Sequence, residues 1–165
     1  CSSDLVQELS QVDGIGPAKA CQIQSAFELG KRLASLPNTP RAVISSPGDA
    51  ANLLMETLRY YREEHFHVLL LDTRNQVICA RDISIGTLNA SLVHPREVFK
   101  MAMRHSAHAI IVAHNHPSGD PSPSQEDLSL TARLKEAGIL LGIGVLDHLI
   151  IGDNVYISLK ERGLL

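Results

Sequence analysis

Two histidines at the end of an apolar run constrain this chain more than any other feature: Ala109 to Ala113, then His114-Asn115-His116. An unbroken apolar run of this kind reads as a buried strand. On extended backbone the side chains at i and i+2 share a face, so both imidazoles can reach one ion. A passage carrying Pro117, Gly119, Pro121 and Pro123 then turns the chain, and Asp127 falls in the first turn of the next amphipathic segment. Two neutral imidazoles and a carboxylate make a three-ligand set that leaves a fourth tetrahedral position for water, the pattern of a catalytic rather than a structural zinc site. Ser124 with Asp127 three residues on is equally a capping box. One oxygen of Asp127 cannot serve both purposes, so one reading must yield.

The remaining chain divides by its own punctuation. Asp4 to Ser10 reads as a short helical run, Val12 to Gly16 as a turn, and Pro17 to Ala34 as a second helix with Pro17 in the first helical position. Leu36-Pro37-Asn38-Thr39-Pro40 breaks that helix, giving a unit at 1–36, a linker at 37–40 and a main domain at 41–165. In the main domain Ser46 to Asp49 caps a helix with Ala50, Leu53, Leu54, Leu58 and Tyr61 on one face. Phe66 to Leu71 and Gln76 to Ala80 form a hairpin through Asp72 to Asn75. A further strand is expected over Ile83 to Val93, interrupted near Gly86. A helix opens at His94, with Val98, Met101, Ala102 and His105 inward. The histidine-bearing strand follows, then a helix from Ser124 to about Ala137, a strand from Ile139 to Leu146, and a hairpin turning at Gly152 to Asn154. This irregular alternation predicts a mixed α/β fold, a mixed sheet flanked by helices rather than a doubly wound sheet.

A catalytic zinc needs a general base, and Glu63, Glu64 and Glu97 are the candidates. Alternation puts Glu64 on the face of Phe66, Val68 and Leu70, at the strand's mouth, and turns Glu63 outward. Glu97 sits in a first helical turn, where an acid suits the dipole alone. The other histidines, His65, His67, His94, His105, His108 and His148, read as satisfied or exposed side chains.

The motif His114-x-His116-x7-Ser124-x2-Asp127 resembles the JAMM motif of the JAB/MPN metalloenzymes. The fuller string AHNHPSGDPSPSQED is similar to the RadC branch, as are EHFHVLLLD, GTLNASLVHPREVF and LGIGVLDHLIIGDNVYIS, so the resemblance spans about residues 41–160. It implies a zinc hydrolase fold related to deubiquitinating isopeptidases, with one Zn2+ held by His114, His116 and Asp127. Glu64, at the E-x-F position, would be the general base, and Ser124 would steady an oxyanion. Asp147-His148 matches a family string and could support the ligands from behind. Between the histidines this chain has Asn115 where deubiquitinating members carry Ser or Thr, a departure that bears on the substrate and spares the metal site.

Residues 1–36 resemble a helix-hairpin-helix, whose turn (here Gly14-Ile15-Gly16) lets backbone amides face a phosphate, with Lys19 assisting. Against that, Asp4, Glu8, Asp13 and Glu28 outnumber Lys19, Lys31 and Arg32. Phosphate neutralisation by cations dominates nucleic-acid affinity, so any binding should be weak and indifferent to sequence, and a packing module is the other reading.

Composition narrows the rest. With 165 residues, 44% hydrophobic content and a formal charge of −3, the chain suits one full domain with an appendage and offers no bulk attraction to nucleic acid or anionic lipid. No apolar run spans a bilayer and no signal-peptide shape opens the chain, which begins at Cys1 as a fragment or trimmed chain would. Cys1, Cys21 and Cys79 are scattered, which suits reduced thiols in a cytoplasm and argues against the zinc deaminases. The expected function is hydrolysis of an amide in a peptide or protein substrate. The alternatives are a DNA-associated repair or recombination protein and a non-catalytic, zinc-stabilised interaction domain.

Overall fold

In the computed structural model, which describes residues 2–35, 41–86 and 93–165, the chain forms two compact units, Cys1–Pro40 and Arg41–Leu165. The smaller holds α1 (Ser2–Leu9) and α2 (Pro17–Ser35). Gly14 turns the chain between them at φ 83°, a left-handed conformation that glycine adopts without a Cβ penalty. Ala20 is buried there, but Ile23 and Phe27, which share its helical period, are 43% and 63% exposed. The linker expected at 37–40 lies outside the described residues.

In the larger unit, Ser46 caps α3 (Pro47–Leu58) in a reciprocal box with Asp49. There follow β1 (His65–Leu71), β2 (Val77–Ile85), α4 (Pro95–Arg104), β3 (Ala109–Asn115), α5 (Gln125–Leu141), β4 (Gly144–Ile151) and β5 (Tyr156–Ser158). The strands make one sheet in the order β2-β1-β3-β4-β5, parallel only between β3 and β4. This is the mixed sheet with flanking helices that the pattern predicts. Both faces are covered. Phe66, Val68, Leu70, Ile110 and Val112 pack with Val98, Phe99 and Ala102 of α4 and Leu130 and Leu134 of α5. Leu69, Leu71, Ile111, Ala113, Leu149 and Ile151 pack with Ala50, Leu54 and Leu58 of α3. Double coverage explains why β1 and β3 are nearly continuous apolar runs instead of alternating ones.

Two expectations change. The strand expected from Ile139 is instead the end of α5, which runs to Leu141 and stops where Gly142 adopts a left-handed cap at φ 67°. Ile139 and Leu140 are 73% and 87% exposed, so their apolar character reports no strand. Residues 77–80 and 83–85 belong to one strand, because charged Arg81 and Asp82 sit on the sheet's edge strand, where charges do not interrupt the ladder. The rest of the strand expected to Val93 lies outside the described residues as far as 92.

Candidate metal centre

β3 carries His114, His116 follows just past the strand's end, and α5 delivers Asp127 from its third position. His114 Nε2 lies 3.0 Å from His116 Nε2 and 3.2 Å from Asp127 Oδ1. His114 and Asp127 are buried, and the His116 side chain is 16% exposed. These three form a group that could hold a metal ion.

The hydrogen bonds behind the imidazoles decide which nitrogen carries a proton. His116 Nδ1 stands 2.7 Å from the carbonyl of Asp120. A carbonyl only accepts, so Nδ1 carries the proton and Nε2 presents a lone pair. Behind His114 the assignment runs through three groups. The Thr131 hydroxyl donates to the Asp127 carbonyl at 2.6 Å, so it accepts from His148 Nδ1, also at 2.6 Å. His148 Nε2 is then an acceptor and takes the proton of His114 Nδ1 at 2.8 Å. His114 Nε2 is left with a lone pair as well. Two lone pairs therefore face each other beside a carboxylate, an arrangement that repels itself unless a cation lies between. The neutral state is enforced by burial, which pushes His114 down to about 3, with His116 adding to the shift. Burial likewise pushes His148 well below its ordinary value.

Asp127 resolves the competition between cap and ligand by dividing its oxygens. Oδ2 accepts from the Ser124 amide at 2.8 Å and the Ser124 hydroxyl at 2.7 Å. Oδ1 faces His114. The cap forms and still leaves one oxygen turned toward His114, so neither reading of the Ser-x-x-Asp pattern has to yield to the other. The loop between ligands is shaped around the same atoms: Asp120 Oδ1 accepts from Ser122 N and Oγ, and these bonds lower its pKa. Gly119 is left-handed, and a Cβ at Gly152 would stand 2.2 Å from its carbonyl, so the β4–β5 hairpin abuts this loop only because Gly152 has none.

A cleft of about 410 Å³ opens beside the group, lined by Glu64, His116, Ser118, Ser124 and Asp127 among others. Of the three candidate bases only Glu64 lines it. Glu97 lies on α4 with Arg96 at 3.2 Å and Lys100 at 3.8 Å, and Glu63 is exposed.

The family model known as the RadC-like JAB domain matches residues 44–164. The chain belongs to that family. Relatives agree along nearly its whole length. It is 57% identical to a UPF0758 protein of Desulforamulus reducens over 99% of this chain and 72% of the relative. It is 58% identical to a UPF0758 protein of Alkaliphilus metalliredigens, over 97% and 69%. UPF0758 protein YsxA of Bacillus subtilis is 56% identical over the same shares.

In this RadC-like JAB domain Asn115, the departure noted in the sequence, does not line the cleft. It is 2% exposed, and its side chain emerges on the opposite face of β3 from the two histidines. Oδ1 accepts from His65 N at 2.8 Å, and Nδ2 donates to Glu63 O at 2.9 Å. These bonds grip the backbone on either side of Glu64. Asp147 faces away as well, accepting from Ser158 Oγ at 2.6 Å, so only His148 of that dipeptide meets the ligands. Thr131 is the residue that the sequence reading missed. An i+4 offset from Asp127 was its only trace. In the smaller unit the Ile15 amide already donates to Val12 O at 3.0 Å, and Lys19 Nζ to Gly14 O at 3.1 Å. No described helix is long and apolar enough to cross a membrane.

Proposed function

We propose that this chain is a zinc-dependent hydrolase of amide bonds in peptides or proteins. The observation that carries the reading is the pair of opposed imidazole lone pairs and the Asp127 carboxylate, set in the wall of a cleft that Glu64 shares. His114, His116 and Asp127 would hold the ion, which when bound supplies Lewis-acid chemistry to a water and to a carbonyl. Glu64 accepts the proton of the attacking water and returns it to the leaving nitrogen. Asn115 holds the backbone flanking Glu64 at a fixed place. Ser124 orients Asp127, and steadying an oxyanion requires its hydroxyl to exchange the Asp127 bond for one to substrate. The scattered cysteines suit a reducing, cytoplasmic setting.

Glu64→Gln tests the reading, because it keeps the shape of the side chain and deletes its proton acceptor. Metal content by mass spectrometry should match the parent chain, while cleavage in an unbiased peptide screen falls by at least about a hundredfold. Undiminished cleavage in Glu64→Gln, or loss of activity in Glu97→Gln alone, would remove Glu64 from the mechanism. DNA binding by the Gly14–Gly16 turn is a separate proposal. It would be weak and shallow in salt dependence, since one turn amide is already engaged and cations are few.

A further inference from the structure

The described residues contain one other His/His/Asp group, His65, His67 and Asp82, on the opposite face of the sheet. His65 and His67 are i and i+2 on β1, and His67 pairs with Ala113, which faces α3. Asp82 lies directly across from His67 on β2, next to a register shift in the ladder. Its Oδ1 is 2.7 Å from His67 Nε2 and 3.3 Å from His65 Nδ1. The two histidine side chains are 10% and 12% exposed, and that of Asp82 is 39% exposed. Tyr61 stacks on His65 with ring centroids 3.7 Å apart.

A buried histidine on an apolar face is ordinarily neutral and hydrogen-bonded. His67 meets the first condition, since burial outweighs the Asp82 carboxylate and lowers its pKa. It fails the second. Neither ring nitrogen has a hydrogen-bond partner among the described residues, and Asp82 Oδ1 meets Nε2 as an ion-pair contact at 2.7 Å. Such orphaned groups are rare in a packed interior. A cation against Nε2 would supply the missing partner.

We propose that His65, His67 and Asp82 form a second metal site, for a divalent cation of the zinc class. Two imidazoles and one carboxylate are borderline N/O donors, which favour zinc, cobalt or nickel over calcium or magnesium. Bonds of about 2.0–2.2 Å at near-tetrahedral angles separate ligand atoms by roughly 3.3–3.6 Å, which the 3.3 Å between His65 and Asp82 matches and to which the 2.7 Å between His67 and Asp82 would have to widen. Among the described residues no glutamate joins this group, so its role is structural: it staples the edge strand β2 to β1, directly beside the Asn115 grip on His65.

Metal titration with Zn2+ and Co2+ on the whole chain tests this. The parent chain should bind about two equivalents, and Asp82→Ala about one. Asp82 is on the surface, so this variant is expected to fold even if His67→Gln does not. His116→Ala isolates the second site. It should retain one equivalent, show the visible absorption of tetrahedral Co2+, and gain thermal stability on adding Zn2+. The double variant His116→Ala/Asp82→Ala should lose all three signals. A parent chain that binds one equivalent, unaltered by Asp82→Ala, would overturn the proposal.

Discussion

The two His-x-His groups of this domain begin from the same local pattern and end differently. Each sits on a strand, with its imidazoles on one face and a carboxylate brought by another element. In the His114 group every ligand is held from behind: His116 by the Asp120 carbonyl, His114 by His148 and Thr131, and Asp127 by Ser124. In the His65 group that backing is thin. His65 leans on Tyr61, His67 has no hydrogen bond among the described residues, and Asp82 stands on a half-exposed edge strand. The first group is preorganised before any ion arrives, because outer hydrogen bonds fix both tautomer and ring angle. The second has donors in reach but leaves their orientation to whatever binds. The histidine spacing alone does not distinguish a group held firmly from one held loosely. The groups behind the rings do.

Acid should break the first group hardest. Burial holds His114 neutral in the folded chain, whereas in the unfolded chain it takes up a proton below about pH 6.5. Stability of the metal-free protein is therefore present at neutral pH and lost as pH falls from about 6.5 towards about 3, on the order of 5 kcal/mol from His114 alone. Denaturant midpoints in chelator across that range measure it. His67→Gln should leave most of the slope, and a flat profile in the parent would contradict the buried neutral assignment.

Thr131→Val sharpens the contrast at lower cost. It preserves shape but removes the hydroxyl that sets the His148 tautomer, so zinc affinity at the His114 group should fall about 10–100-fold. Chelator competition in an Asp82→Ala background reads that site alone. Unchanged affinity would mean that the relay behind His114 does not tune it.

Asn115→Ala probes a side chain that belongs to the first motif by sequence and touches the second by contact. Leaving His65 N and Glu63 O without their partner should cost about 1–3 kcal/mol of stability. Hydrolysis should fall while metal at the His114 group stays, since the ligands are untouched and only the Glu64 backbone is loosened. Metal loss from His114 in this variant would show that Asn115 supports the ligands instead.

Much of this was legible in the chain. The apolar run before His114, the i and i+2 spacing, the proline-rich turn and the Ser124 cap are local patterns, and local patterns follow from the geometry of strand and helix. They sufficed for the mixed sheet, the three clustered donors and Glu64 at the strand's mouth. Where the reading slipped, at Ile139 and across Arg81-Asp82, hydrophobicity alone stood in for burial. An apolar helix end and a charged edge strand both defeat that substitution.

Only the tertiary structure linked Thr131 through His148 to His114, carried Asn115 back 50 residues to His65, and set Asp82 opposite His67. Those meetings depend on strand order, on register and on which face of the sheet each side chain occupies. A shift of one residue in pairing would send every one of them to the other side. Spacing along the chain determined which atoms could bind a metal. Packing across the sheet decided how each is held.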